Sequence, residues 1–172
     1  MFMEFNQVIQ KRTAIRNFQE DKKIEKDKLL QILEAGRIAP TAKNLQPQKI
    51  LVVSNKKSLD KIDKATPCRY HAPTVLIVCI DKKKVFSQNG YSTAEVDGSI
   101  VATHMMLEAT NLGIDNIWIE MFDRDVLKKE FSLKEEFLPI CLLPIGYREV
   151  GCLESPNHKI RKSLEETVIY VE

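Results

Sequence analysis

The stretch of residues 94–112 constrains the fold most, because its apolar residues cover more than one face of a helix. These apolar residues are Val96, Ile100, Val101, Met105, Met106, Leu107 and Ala109. A helix that is apolar around most of its circumference has to be buried, and Gly113 is a typical residue to end it. The sequence therefore predicts a long central helix that other elements surround.

Four apolar segments predict the strands that pack with this helix. Residues 50–53 and 74–80 are short runs rich in β-branched side chains, and breaker residues flank both of them. Residues 116–121 and 137–147 predict a third and a fourth strand. Residues 168–171 form a further apolar run, separate from the rest, which predicts a last strand that pairs with another surface.

Helical patterns alternate with these strands in an irregular order. Phe5, Val8 and Ile9 share one helical face, and a second helix is predicted from an N-cap at Asp27 to a stop at Pro40. Shorter helices are expected at residues 58–62 and after a cap at Asp123, and this order favours an α+β fold. Without a repeat or a linker-like segment, residues 1–172 are predicted to form one domain.

Charge and composition narrow the classes of partner. The chain has 26 basic and 24 acidic residues, so its net charge of +2 gives no electrostatic argument for nucleic acid or for a membrane surface. No apolar run approaches the roughly 20 residues of a membrane-spanning helix, and the amino-terminal residues do not resemble a signal peptide. We therefore expect a cytoplasmic protein that acts on a small molecule.

The cysteines and histidines do not predict a metal site. The cysteines are Cys68, Cys79, Cys141 and Cys152, which stand far apart and include no Cys-x-x-Cys pair. We expect buried or incidental thiols, because a free cysteine often behaves as a small apolar residue. The three histidines are equally scattered, and the sequence marks none of them as a general acid or base.

Two basic pairs are candidates for binding a phosphate. Arg12 and Arg16 would share one face if the first helix continued through them, and the Thr13 hydroxyl would add a donor. A solvated basic helix end explains the same residues equally well. Lys159 and Arg161 form the second pair. The chain has no glycine-rich nucleotide loop, so side chains of this kind would have to hold any phosphate.

The polar loop of residues 41–48 offers a different chemistry. The amides of Asn44 and Gln46 both donate and accept hydrogen bonds, as the polar edge of a flavin or pyrimidine ring requires. The alternative is an ordinary turn between two prolines.

Taken in order, these segments resemble the nitroreductase family of flavoproteins over nearly the whole chain. The matching motifs are Arg-Thr-x-x-Arg, Ala-Pro-Thr-Ala-x-Asn-x-Gln-Pro, Trp-Ile-Glu and Lys-x-Arg. The resemblance implies that FMN is the cofactor. It assigns the FMN phosphate to Arg12, Thr13, Arg16, Lys159 and Arg161, and the flavin-contacting loop to Pro40, Thr41, Ala42, Asn44 and Gln46.

The same resemblance assigns positions near the reactive part of the flavin. Ile119 and Glu120 match the family segment whose backbone amide approaches flavin N5. Asp97 falls where a polar side chain would face the flavin or the nicotinamide, and a solvated helical aspartate is the equal alternative. Ala42 stands where serine is commoner in the family, so its backbone is a better candidate for a contact than its side chain.

For the assembly and the reaction, the resemblance implies a homodimer with FMN between the subunits. The fold would have a central, mainly antiparallel sheet flanked by helices, and the carboxy-terminal arm would be exchanged between subunits. NADH or NADPH would give hydride to flavin N5, and a nitroaromatic, quinone or similar acceptor would then take it in a ping-pong cycle.

Three alternatives stay open from the sequence. An enone reductase or a reductive dehalogenase would use the same fold and cofactor, with residues 81–90 as the segment available for a substrate lid. A protein that stores or delivers FMN without turnover is a second alternative, and a scaffold without a cofactor is the third.

Overall fold

The computed structural model describes residues 4–171, within which helices enclose a four-stranded sheet. The helices are α1 (Phe5–Lys11), α2 (Lys26–Ile38), α3 (Lys56–Ala65), α4 (Ala94–Asn111), α5 (Arg124–Glu130) and α6 (Leu164–Thr167). The strands are β1 (Gln48–Val53), β2 (Thr74–Asp81), β3 (Ser87–Gln88), β4 (Tyr91–Ser92), β5 (Asp115–Asn116) and β6 (Phe137–Gly146). None of the helices in this range is long and apolar enough to cross a membrane.

The main sheet has the strand order β1-β2-β6-β5, and its neighbouring strands are antiparallel. In the centre of the register, Ile77 lies between Leu51 of β1 and Leu142 of β6. Strand β2 is buried at every position, because helices cover both faces of the sheet. The predicted α+β class with a mainly antiparallel sheet is confirmed.

Alternation along β2 divides the core into two layers, as the pleat of a strand requires. Leu76 and Val78 point into a cluster with Val101 and Met105 of α4. The alternate residues of β2 point into the other layer, which contains buried residues of α3 and α5. Helix α4 is thus the central helix that its sequence predicts.

Helix α4 lies close to the sheet because Gly98 has no side chain. A Cβ atom at this position would lie 2.6 Å from Ile140 Cγ1 of β6. Gly113 follows the helix at a φ of +73°, in the left-handed region that glycine adopts at low cost.

Two of the predicted strands differ in the structure. The third predicted strand, residues 116–121, is shorter in the structure, where β5 is Asp115–Asn116. The Ile117 N–H donates to the Pro144 carbonyl, but Pro144 has no N–H with which to donate back to Ile117, so the regular ladder stops there. Pairing resumes as an isolated bridge between Ile119 and Leu142. Residues 168–171 form no strand in the isolated chain and are exposed, because no neighbouring strand lies beside them.

The region between β2 and α4 contains a small hairpin that the sequence did not predict. Asn89 and Gly90 connect β3 and β4 with φ angles of 51° and 80°, the left-handed pair that a tight hairpin turn favours. The hairpin falls within the segment that the sequence marked as available for a lid.

Candidate functional site

The basic segment after α1 is extended rather than helical. Arg12 and Arg16 therefore do not share a helical face. Helix α1 ends at Lys11, and Ala14 forms a parallel bridge with Asn116 of β5. Burial then alternates, with Thr13 and Ile15 inside and Arg12 and Arg16 outside. Because alternate residues of an extended chain share a side, the two arginines project from the same side of the segment.

Thr13 points into the protein. Its side chain is 4% exposed, and its hydroxyl has no hydrogen-bond partner within residues 4–171. The structure therefore separates Thr13 from the outward-facing arginines with which the sequence grouped it.

The carboxy-terminal basic pair lies beside the first one. A short 3-10 helix, Pro156–Lys159, has its Ser155 side chain accepting a hydrogen bond from the Asn157 N–H. The ring of His158 contacts the Gln10 carbonyl at 3.2 Å, which fixes this segment against the end of α1. Arg161 then lies close enough to influence Arg12 electrostatically.

Arg12 and Arg161 form a cationic pair without an acidic partner. Burial lowers the pKa of Arg12, and the nearby Arg161 guanidinium lowers it further, although an arginine stays protonated in proteins. None of the ion pairs found between residues 4 and 171 includes Arg12, Arg16, Lys159 or Arg161. A partly buried cation next to a second cation is the chemistry of an anion site.

Arg16 contacts a residue that the sequence analysis missed. Arg16 and Tyr70 line one cavity of about 320 Å³, where Cys68 and burial raise the pKa of the Tyr70 hydroxyl and the nearby Arg16 guanidinium lowers it. Tyr70 has a φ of 53° and is followed by His71 at 63°, which is an uncommon backbone for two such residues. No local pattern marks this contact, since it joins segments distant in the sequence.

The polar loop is held in a strained conformation. Lys43, Asn44 and Gln46 have φ angles of 51°, 53° and 49°, and the left-handed region costs about 1–2 kcal/mol for a residue other than glycine. Thr41 stabilises the turn, because its carbonyl accepts from the Asn44 N–H at 2.9 Å and its hydroxyl accepts from the Gln46 N–H at 3.0 Å. The side chains of Asn44 and Gln46 are exposed, and Pro40 precedes the loop on the surface.

Asp97 is neither solvated nor directed into an open cleft. It is 1% exposed, and its Oδ1 atom accepts a hydrogen bond from the Ala42 N–H at 2.9 Å. Its Oδ2 atom accepts from the Thr93 hydroxyl at 2.8 Å. The alternative of a solvated aspartate is therefore wrong, and the carboxylate binds the backbone of the polar loop.

The backbone between Ile119 and Glu120 offers one available amide. The Ile119 N–H donates to the Leu142 carbonyl at 3.0 Å and is occupied. The Glu120 N–H donates to no other group between residues 4 and 171. The Glu120 side chain accepts a hydrogen bond from the Trp118 ring nitrogen at 3.0 Å, which holds it beside the sheet.

The isolated chain also exposes an apolar face formed by α1, α2 and α4. Phe5 and Ile38 are 66% and 64% exposed, and Leu107 lines a cavity of about 410 Å³ between α1 and α4. The carboxy-terminal arm adds Leu164, together with Ile169 and the apolar residues around it. Exposed apolar surface of this extent is typical of an interface.

A comparison with protein families decides which family these features belong to. The model of the nitroreductase family matches residues 9–69 and 67–147, which together span most of the chain. The chain belongs to the nitroreductase family.

Solved structures and curated relatives agree with this assignment. A nitroreductase family protein from Clostridium difficile 630 has a TM-score of 0.91 and is 40% identical, with 98% of each chain covered. A protein from Methanothermobacter thermautotrophicus, assigned as an NADH dehydrogenase/NAD(P)H nitroreductase, is 29% identical over 84% of this chain and 78% of its own. A protein from Exiguobacterium sibiricum, assigned as a nitroreductase and crystallised in complex with FMN, shares the fold, with a TM-score of 0.84 at 20% identity and 98% of each chain covered.

These comparisons confirm the predicted family and fold class. Membership of the nitroreductase family also makes the chain an oxidoreductase, as the sequence predicted. The matched segments include Arg12, the polar loop and Glu120, whereas Lys159 and Arg161 lie beyond them.

Proposed function

We propose that this nitroreductase family member uses FMN to pass hydride from NADH or NADPH to a small electron-poor acceptor. The observation that carries the proposal is the pair of Arg12 and Arg161, two neighbouring cations that lack an acidic partner among the described residues. A phosphate would neutralise this pair through charge-assisted hydrogen bonds. The FMN complex of the Exiguobacterium protein, which has the same fold, supports the choice of anion.

In this proposal the candidate residues would form three groups around the cofactor. Arg12, Arg16, Lys159 and Arg161 would hold the phosphate, with Thr13 supporting the segment from inside. The loop from Pro40 through Thr41, Ala42, Asn44 and Gln46 would bind the polar edge of the ring, mainly through the exposed amides of Asn44 and Gln46. The Ile119 N–H is occupied by the Leu142 carbonyl, so the Glu120 backbone N–H, which has no acceptor within residues 4–171, would be the donor to N5.

When bound, FMN would supply the hydride chemistry, taking hydride from the reduced nicotinamide and giving it to a nitroaromatic, quinone or related acceptor in a ping-pong cycle. The chain would contribute binding, orientation and electrostatics. No side chain is assigned as a general acid or base.

The functional unit in this proposal is a homodimer that binds FMN between its subunits. The apolar face of α1, α2 and α4 and the exposed arm both need a covering surface, and a second copy provides one for each. One subunit would supply the phosphate-binding arginines and the other the polar loop.

Subunit complementation tests this arrangement. Arg12→Ala should impair the phosphate side of a site, and Asn44→Ala should impair the loop side. If the two sides come from different subunits, mixed dimers regain one intact site, and FMN binding should reappear after the two variants are unfolded and refolded together. If mixing restores no FMN binding, both sides belong to one chain.

The reaction itself is tested by flavin analysis and by acceptor screening. Purified protein should release FMN, rather than FAD, on denaturation, because the cationic cluster suits one phosphate and no adenosine-binding glycine motif is present. Reduced enzyme should then be reoxidised by quinones or nitroaromatics. Faster reoxidation by enones or halogenated phenols would favour the alternative reductases, and FMN release without oxidation of NADH or NADPH would favour a storage protein.

A further inference from the structure

The buried carboxylate of Asp97 lies where the first turn of α4 meets the polar loop. Its two oxygen atoms accept from the Ala42 N–H at 2.9 Å and from the Thr93 hydroxyl at 2.8 Å. None of the ion pairs described for residues 4–171 includes Asp97. Hydrogen-bond donors therefore satisfy both oxygen atoms of this buried side chain in place of a cation.

The polar loop depends on contacts from outside because its own backbone is strained. Three of its residues other than glycine are left-handed, and such residues persist only where the surroundings hold them. The hydrogen bonds to Thr41 lie within the loop, so they do not fix the position of the loop relative to the rest of the fold. The Asp97 bond fixes the start of the loop to α4, and a bond from the Asp81 N–H to the Pro47 carbonyl fixes its end to β2.

The same carboxylate connects the loop to the hairpin of β3 and β4. Thr93, which donates to Asp97, also donates its backbone N–H to the Phe86 carbonyl at 3.0 Å. The Lys43 ammonium lies 4.2 Å from the centre of the Phe86 ring, which is a cation–π distance. The polar loop and the hairpin are thus connected twice, once through Asp97 and Thr93 and once through Lys43 and Phe86. The connection through Asp97 is the buried one.

We propose that Asp97 is a positioning residue for the flavin: its carboxylate holds the Ala42 backbone so that the loop presents Asn44 and Gln46 to the cofactor. This inference rests on the proposed function, in which the loop binds FMN. Asp97 itself need not touch the flavin, and its effect passes through the Ala42 N–H.

A double-mutant cycle between Asp97 and Ala42 isolates that effect. Asp97→Ala removes the acceptor. Ala42→Pro removes the donor and places a ring carbon against the carboxylate, a contact that the double variant relieves; Thr41, with a φ of −135° and a ψ of 157°, is compatible with a following proline. Glu95→Ala is the matched control, because it removes an exposed carboxylate from the same first turn.

Each single change should raise the FMN dissociation constant at least tenfold, and the double variant should bind no more weakly than the weaker single variant. Glu95→Ala should stay within twofold of the parent. Asp97→Asn should also remain close to the parent, because its amide oxygen still accepts from Ala42. Additive losses in the double variant, or parental affinity in Asp97→Ala, would overturn the proposal.

Hydrogen exchange separates this proposal from the proposed function. In the flavin-free protein the Ala42 amide should exchange at least tenfold faster in Asp97→Ala than in the parent or in Glu95→Ala, whether or not FMN is the cofactor. Unchanged exchange would overturn the positioning role, whereas a parent protein that binds no FMN would overturn only the proposed function.

Discussion

Replacing Arg12 with alanine should weaken FMN binding without destabilising the flavin-free protein. The Arg12 guanidinium is partly buried near Arg161, and neither forms an ion pair within residues 4–171. Removing one of two like charges relieves repulsion when no phosphate is present. The same change removes a charge-assisted hydrogen bond when phosphate is bound. The two effects have opposite signs, as expected for a residue that serves binding rather than folding.

The size of the binding effect follows from the chemistry of the contact. A hydrogen bond to a charged group contributes about 1.5–3 kcal/mol, so the FMN dissociation constant should rise about tenfold to a hundredfold. Turnover at saturating FMN should stay within a few-fold, because the phosphate contact holds the cofactor and does not act on the reacting atoms. Titration of apo-protein, followed by flavin fluorescence, measures the affinity. Thermal unfolding of the same apo-protein should show an unchanged or a higher midpoint.

Lys11→Ala is the matched control for Arg12→Ala. It removes an equal charge from the neighbouring exposed residue at the end of α1, and it should leave both the affinity and the midpoint unchanged. Parental affinity in Arg12→Ala would refute the phosphate site. A lowered midpoint of apo-Arg12→Ala would refute the repulsion argument.

Three further predictions concern packing, thiols and assembly. Gly98→Ala should lower the free energy of unfolding by about 1–3 kcal/mol in urea denaturation, because its Cβ would lie 2.6 Å from Ile140 Cγ1; unchanged stability would contradict the close packing. Burial raises the pKa of Cys79 to about 12, so at pH 8 iodoacetamide should label Cys152 first and leave Cys79 unlabelled in mass spectrometry; early labelling of Cys79 would contradict its burial. Deleting residues from Leu164 onward should weaken dimerisation and FMN retention together in sedimentation, and an intact flavin-loaded dimer would exclude this role for the arm.

The elements that sequence patterns predicted well are those with strong local signals. Strand β2 is an unbroken apolar run because helices cover both faces of the sheet, and α4 is apolar around most of its surface because it is the central helix. The Asp123 side chain caps α5 by accepting hydrogen bonds from the backbone amides of Asp125 and Val126, two and three residues later, which is a purely local interaction. In each case the sequence pattern that predicts the element belongs to the residues that form it.

Elements that depend on distant residues were predicted less well. Helical periodicity through Val8 and Ile9 contains no stop signal before Arg12, yet the chain leaves α1 there and Ala14 pairs with Asn116. The extended segment owes its shape to β5, which comes much later in the chain. The same limit explains the missed contact between Arg16 and Tyr70.

Asp97 shows the limit most clearly within the candidate site. Its sequence position on α4 is compatible with solvent or with a cleft, and only the fold brings the Ala42 N–H to its carboxylate. The order of motifs was enough to predict the family, which the comparisons confirm. The roles of the individual site residues stay predictions until binding is measured.

The most direct test of the central claim is an anaerobic titration of the purified protein with NADH and NADPH, followed by flavin absorbance. The account predicts that the protein carries FMN, that the absorbance of the oxidised flavin bleaches stoichiometrically with at least one of the two nucleotides, and that a quinone or nitroaromatic restores it. A protein that carries no flavin, or whose bound flavin stays oxidised with both nucleotides, would contradict the account.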